Sequence, residues 1–540
     1  MNTKAVRFHD NTHTSILSEV NILADAIKLT LGPKARYVAL KRHLGISPIA
    51  KRGVAIAKEI ESQDKLENRG AQIVKQVASK TAEIAGDGST TATVLAQAII
   101  QEGTKYLASG TNPHDLKRGI DTAVAAIVDT LKTISLPCIT HKEITEVAAI
   151  SANSDHAIGD IIAQALEKVG KGGAISVEDG NSFENELDIV QGIQFECTDI
   201  NSNFVINHGK RKLILRDPLI LLCSEKISTM QSLLPLLKDV NKTGKPLLIV
   251  TEELEGEALT TLLDNFTFAE CKVAALKPAN VGNFGMNTLD DIAVLTGTNV
   301  ISNEIGHRLE NLKITDLGRA REVVIDNEMT KIIDSAGEHE AIAAHVTKIR
   351  RQIENTTTDD DREKFEERLT RLSAGVAVIK VGAANEIEMK EKKNLVEDAL
   401  RATLAAIEGG IVPGGGVALL RARAAIKGLK GDNSDQDAGI KIVMRALEEP
   451  LRAIASNAGD LPAVVVAKVY SGLDNFGYNA ATGEYGDLVQ MGVIDPTKVT
   501  QTALQNAASI ASLAFTTNTI NADVLEEAET VTPMPAEFNY

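Results

Sequence analysis

Apolar residues recur at helical spacing in the first and last thirds of the chain, whereas the middle third breaks into short apolar runs. This change of period constrains the fold more than any other feature. Ile16, Leu17, Val20, Leu23, Ala24 and Ile27 fall three and four residues apart and stop at Gly32-Pro33. A second helical run carries Ile73, Val74, Val77, Ala78 and Ile84, breaks at Gly86-Asp87-Gly88, and restarts after Ser89 with Val94, Leu95, Ala98 and Ile99. From about residue 170 the runs 174–177, 219–222, 247–250 and 273–276, bounded by Gly, Pro and Asp, predict buried strands. Helical stripes lie between and after them: Leu233, Leu234, Leu236, Leu237 and Val240; Leu259, Leu262, Leu263 and Phe266; Ile342, Val346, Ile349 and Ile353; Phe365, Leu369 and Leu372. Beyond 376–381 the chain is mostly helical again. The order helical, α/β, helical predicts a multidomain α+β protein in which an α/β domain is inserted into a helical one. Insertions succeed where the chain leaves and returns at neighbouring surface points, so the first and last thirds form one domain.

A chain of 540 residues exceeds what one core supports, which agrees with several domains. Aromatics are 3% and Trp is absent, so Ala, Val, Ile and Leu must fill the cores. The net charge of −16 leaves no ready basic face for neutralising phosphates, which argues against nucleic acid as a partner. Cys138, Cys197, Cys223 and Cys271 are far apart and form no Cys-x-x-Cys pair, so neither a zinc site nor a disulfide framework is expected. No stretch approaches the ~18 apolar residues of a spanning helix, and the expected location is cytoplasmic, with no membrane partner.

The turn Gly86-Asp87-Gly88-Ser89-Thr90-Thr91 is the most informative local feature. Glycines let backbone approach an anion, a helix begins just after, and its unpaired N–H groups attract phosphate. Asp87 is a hard oxygen ligand suited to Mg²⁺. The same residues would also serve an ordinary interhelix turn with a Ser/Thr cap. No Gly-Lys is followed by Ser or Thr, which excludes a Walker A loop. Gly414-Gly415-Gly416 precedes another helical run, and Thr30-Leu31-Gly32-Pro33 closes one. Asp359, Asp360 and Asp361 are expected to favour a helix N-terminus rather than to bind metal.

The strings TLGPKAR from Thr30, GDGSTTATVLAQAII from Gly86, ISANSD from Ile150, EIEMKEKK from Glu386, PGGGVALL from Pro413, GYNAATGEYGD from Gly477 and DPTKVT from Asp495 resemble the group I chaperonins of GroEL type. The resemblance runs from about residue 2 to about residue 523. It implies an equatorial ATP-binding domain over 1–135 and 410–540, an intermediate hinge domain over 136–190 and 376–409, and an apical domain over 191–375 that binds clients and a co-chaperonin. It further implies ATP and Mg²⁺ as cofactors, non-native proteins and a GroES-type lid as partners, and a seven-membered homo-oligomeric ring.

Residue by residue, the resemblance implies that Thr30, Leu31, Gly32, Pro33, Asp87, Gly88, Ser89, Thr90 and Thr91 hold phosphates, with Asp87 on Mg²⁺. Lys51 matches the lysine near the γ-phosphate, Gly415 and Asp495 the ribose contacts, and Asn479, Ala480, Ala481 and Val493 the adenine pocket. Asp398 matches the carboxylate that orients the attacking water, a catalytic role shared with Asp87. Phe204, Leu234, Leu237, Leu259 and Leu263 match the client-binding face, although helical periodicity alone is equally consistent with core positions.

The chain departs from the family pattern in places. Arg52 follows Lys51 where Asp is typical, Gly409 stands where Glu is usual, and Asp199, Asn203 and Asp264 replace apolar apical residues. Ser434 and Leu461 replace Glu residues used between rings. The expected function is an ATP-dependent chaperonin subunit, with turnover possible at a slow rate; the alternative is a slowly hydrolysing holdase with a narrowed client range.

Overall fold

The computed structural model describes residues 3–8, 10–36, 38–39, 49–50, 53–59, 68–170, 173–199, 213–227, 231–251, 254–260, 262, 273–278, 283–302, 309–326, 329–356, 358–517 and 519–524. The chain divides into two compact units, one made of Met1–Asp160 with Asn394–Tyr540, the other of Ile161–Lys393. The architecture is multidomain α+β, with the helical unit discontinuous in sequence.

The discontinuous unit is a helical bundle. Helices Asp10–Lys28, Asn68–Ala85, Ser89–Ala108, Pro113–Thr133, Ser434–Ala446 and Thr497–Thr516 bury one core in which Leu23, Ile27, Val77, Leu95, Ile120 and Val443 pack with Phe515. The apolar spacing noted in the sequence is the inward stripe of each helix. Helix starts follow local chemistry: the Asn112 side chain accepts hydrogen bonds from the N–H groups of His114 and Asp115, and Pro113 occupies the first turn, where its missing N–H removes nothing. Strand Thr3–Phe8 pairs antiparallel with Thr519–Val524, joining segments from opposite ends of the sequence.

The continuous unit is built on a seven-stranded mixed sheet, in the order Met329–Ser335, Gly192–Asp199, Val273–Pro278, Leu247–Thr251, Leu219–Cys223, Gly318–Ile325, Leu213–Arg216. The three central strands run parallel, and their side chains alternate between two cores. Ile220, Leu222, Leu248, Val250, Ala274 and Leu276 face helices Asn283–Thr296, His339–Asn355 and Asp359–Ala374. Leu219, Leu221, Leu247, Ile249, Val273 and Ala275 face the layer holding Leu233, Leu236 and Val240 of the Leu234–Thr243 region. Burial on both faces is why these strands read as continuous apolar runs rather than as alternating ones. A second sheet places Val376–Val381 between Ala174–Asp179 and Glu186–Val190.

The acidic run at 359–361 opens a helix, as expected: the helix begins at Asp359, and the Thr358 hydroxyl donates to an Asp361 carboxylate oxygen at 2.5 Å. Among the described residues no helix is long and apolar enough to cross a membrane. Cys138, Cys197 and Cys223 are buried and form no disulfide among the described residues, and Cys271 lies outside those residues.

Candidate functional site

The glycine turn at 86–88 is shaped by close approach as well as by backbone angle. Gly86 and Gly88 have φ of 74° and 80°, which side-chain-bearing residues rarely adopt. A Cβ on Gly86 would lie 2.4 Å from Cβ of Arg401, and one on Gly88 would lie 2.8 Å from Cγ1 of Val499. Only glycine lets helices Glu386–Gly409 and Thr497–Thr516 close on the turn. Gly88 is the N-cap of Ser89–Ala108 and no side chain caps that helix, so the turn is not the ordinary Ser/Thr-capped connection. Its first-turn N–H groups therefore keep the positive end of the helix dipole open to an anion. Among the described residues, Asp87 accepts only a local bond, from the N–H of Gly88 at 2.6 Å. Gly53, first residue of Gly53–Glu59, sits where an added Cβ would be 2.6 Å from the Thr90 hydroxyl. Lys51 and Arg52 lie outside the described residues.

The second glycine turn brings a carboxylate toward the first. Strands Ile411–Pro413 and Ile494–Pro496 pair with Val412 opposite Asp495, and a Cβ on Gly414 would lie 3.1 Å from Asp495 Oδ1. Gly415 follows with φ 63°. Although part of Asp495 stays open to solvent, dense enclosure, and after it the negative charge of Asp87, push its carboxyl up to about 7. Like charge on Asp87 thus disfavours the ionised form of Asp495. For the ligand-free protein the sign is clear: a raised carboxyl pKa adds stability that is complete below the unfolded value and is lost as pH rises through the folded one. Asp495→Asn is therefore expected to unfold at a higher temperature than the parent, by about 1–3 °C at pH 8. The gap should open between about pH 4 and pH 7 and then level off. Parallel melting curves for the two proteins across that range would contradict the assignment.

The Thr30–Pro33 turn is held from two sides. Thr30 is buried, and its hydroxyl and N–H both donate to the carbonyl of Ile27, at 2.7 and 2.9 Å. Asn457 Nδ2 donates to the carbonyls of Lys28 and Leu31, at 2.9 Å each. Asn457 was not singled out from the sequence, because its partners lie more than four hundred positions away. Leu31, Ala480 and Val493 meet in one apolar cluster with Val417, Leu420 and Ile454. Asn479 Oδ1 accepts the N–H of Ala481 at 3.0 Å, which fixes the turn after Phe476–Asn479. The Tyr478 hydroxyl donates to Asp460, and burial together with that bond pushes the phenol up to about 12.

Asp398 is mostly buried on helix Glu386–Gly409, and the Arg401 Nη2 donates to its Oδ1 at 2.5 Å. Its carbonyl lies 3.2 Å from where Gly86 would carry a Cβ, so the carboxylate-bearing helix turn abuts the glycine turn. Among the described residues no three His, Cys, Asp or Glu side chains form a metal cluster.

The apolar face expected in the middle unit is divided. Leu234 is 42% exposed, whereas Leu237 and Leu259 pack at the margin of the core beneath them. Phe204, Leu263, Asn203 and Asp264 lie outside the described residues. Leu461, at the start of Pro462–Ser471, is 73% exposed.

A model of the TCP-1/cpn60 chaperonin family matches residues 23–523. Among solved structures, two crystal forms of the chaperonin gp146 from bacteriophage EL 2 (Pseudomonas aeruginosa), each determined in the presence of ATP-BeFx, resemble this chain. One gives 22% identity and a TM-score of 0.67, the other 21% and 0.61; each alignment covers 97% of this chain and 99% of that one.

Proposed function

The chain belongs to the TCP-1/cpn60 chaperonin family, and from that premise we propose that it is an ATP-hydrolysing chaperonin subunit that acts on non-native proteins in the cytoplasm. The observation that carries this reading is a convergence: an uncapped helix N-terminus and the electrostatically coupled carboxylates of Asp87 and Asp495, in the same unit as an apolar cluster formed by Leu31, Ala480 and Val493. A triphosphate suits the first, and a purine suits the last. Two carboxylates are too few for a dedicated metal cage but fit Mg²⁺, which takes its other ligands from phosphate oxygens and water and would draw off charge as the γ-phosphoryl leaves.

In this reading Ser89, Thr90 and Thr91 present backbone and hydroxyl donors to the phosphates, and Asp495 accepts from the ribose. Asp398 accepts a hydrogen bond from the attacking water, aligning its oxygen with phosphorus opposite the leaving ADP. Such hydrolysis depends on positioning more than on covalent chemistry. Residues 1–135 and 410–540 carry the nucleotide pocket, 136–190 and 376–409 the hinge, which supplies Asp398, and 191–375 the client surface. The family pattern extends the assembly to a seven-membered ring with a GroES-type lid.

Among the described residues of 191–375, Leu234 is the most exposed large apolar side chain and so the first candidate to hold an apolar client segment. Leu234→Ser removes apolar contact area worth about 1–2 kcal/mol when buried, so its capacity to keep a denatured protein from aggregating should fall several-fold with melting temperature unchanged. Undiminished capacity would remove Leu234 from the client surface. The site itself is tested by titrating ATP into the full-length protein with and without Mg²⁺. Saturable, Mg²⁺-dependent binding is expected, and no binding at millimolar ATP would overturn the proposal.

A further inference from the structure

We propose that Arg401 is a positioning residue for ATP hydrolysis, holding the Asp398 carboxylate in the rotamer that orients the attacking water. The inference rests on the reading of Asp398 given above and adds to it a second side chain that comes from neither glycine turn. Asp398 and Arg401 stand three residues apart on Glu386–Gly409, on the stretch that meets Gly86. The base of the Arg401 side chain is confined, because its Cβ occupies the space a Cβ of Gly86 would need, at 2.4 Å. From that fixed base the guanidinium reaches back one turn, and Nη2 donates to Asp398 Oδ1 at 2.5 Å. The glycine turn and the carboxylate are thereby referred to the same side chain.

The burial of the two partners separates a positioning role from a stabilising one. Asp398 is 13% exposed but Arg401 is 50% exposed, so water screens the pair and its loss removes little stability. What the contact does fix is geometry. A carboxylate on a short side chain turns about two torsions, and the reactive alignment tolerates little error. Arginine keeps its charge at every working pH, so the restraint persists wherever Asp398 is ionised. The contact uses one N–H of Arg401 and one oxygen of Asp398. Because a single donor makes the bond, lysine is expected to replace arginine in large part.

The test is single-turnover hydrolysis of Mg·ATP by the full-length protein, with ATP affinity measured in parallel, for Arg401→Ala, Arg401→Lys, Asp398→Ala and the double Asp398→Ala/Arg401→Ala variant. The expected result is a rate about 10-fold lower in Arg401→Ala with unchanged affinity, most of the rate regained in Arg401→Lys, and no further loss in the double variant relative to Asp398→Ala. Three results would overturn the inference while leaving the site reading intact. One is a parent-like rate in Arg401→Ala beside a slow Asp398→Ala. Another is weakened affinity in place of a slower step. The third is a double variant slowed by the product of both single effects. Arg401→Lys no faster than Arg401→Ala also counts against it. If Asp398→Ala itself hydrolyses normally, or the parent does not hydrolyse ATP at all, the site reading and the inference fall together.

Discussion

Asp87→Ala is expected to lower Mg²⁺-dependent ATP hydrolysis by about 10³-fold while leaving the fold intact. Among the described residues the carboxylate accepts one local bond, from the N–H of Gly88, and the tight packing around the turn belongs to its glycines rather than to its side chain. Little stability is lost with it, so the effect should be confined to the site. The magnitude follows from what the group would do: remove the oxygen that fixes the cation, and the charge developing on the transferred phosphoryl loses its main counter-charge. An independent consequence can be read without nucleotide. Asp87 is one of the two causes that raise the Asp495 carboxyl, so in Asp87→Ala that carboxyl should titrate lower, by an amount set by charge repulsion alone. Hydrolysis within threefold of the parent would exclude Asp87 from the cation site.

The second large effect concerns the middle unit. Asp291 is buried and accepts three hydrogen bonds: from His345 Nε2 at 2.7 Å, and from Arg368 Nε at 2.9 Å and Nη2 at 2.7 Å. The three residues come from the helices Asn283–Thr296, His339–Asn355 and Asp359–Ala374, so one carboxylate ties together the helical layer on that face of the sheet. Arg368 is also buried, its Nη1 has no hydrogen-bond partner among the described residues, and its guanidinium carbon stands 5.9 Å from the ring centre of Phe365. Asp291→Ala leaves that cation without its counter-ion in an apolar setting, and loss of one member of a buried pair costs about 3–5 kcal/mol. Urea unfolding followed by hydrogen exchange of peptides from each unit should show the transition of this unit, which has neither Tyr nor Trp, moving to markedly lower denaturant, with the transition of the helical unit in place. A shift equivalent to less than about 0.5 kcal/mol, the scale of an ordinary surface change, would mean that the triad is not what holds the layer.

The fold was legible where a pattern is local. The runs at 219–222, 247–250 and 273–276 are strands because both faces are covered, and the stripes at 342–353 and 365–372 are helices that pack on one of those faces. The run from Leu233 to Val240 carries a finer signal: Leu233, Leu236 and Val240 follow the helical period into the core, and Leu234 falls off that face and is exposed. The glycine turns were legible for a similar reason, since their residues are consecutive. The pairings that complete the site were not. Arg401 with Asp398 has an ordinary helical spacing that nothing sets apart from other such pairs, Tyr478 with Asp460 has no periodic spacing, and Asn457 with Lys28 and Leu31 joins distant parts of the chain. Periodicity identifies the face a residue occupies; only the packed structure identifies what it meets there.

The central claim is that hydrolysis at this site drives productive folding. The most direct test is the yield of active enzyme recovered when a chemically denatured, aggregation-prone enzyme is diluted into the purified protein, with Mg·ATP, with Mg²⁺ and a non-hydrolysable ATP analogue, or with no nucleotide. Recovery is expected to rise well above spontaneous refolding with Mg·ATP and to stay low with the analogue. Equal recovery with ATP and with the analogue, or aggregation suppressed equally well without nucleotide and never followed by release, would contradict it and leave a holdase in its place.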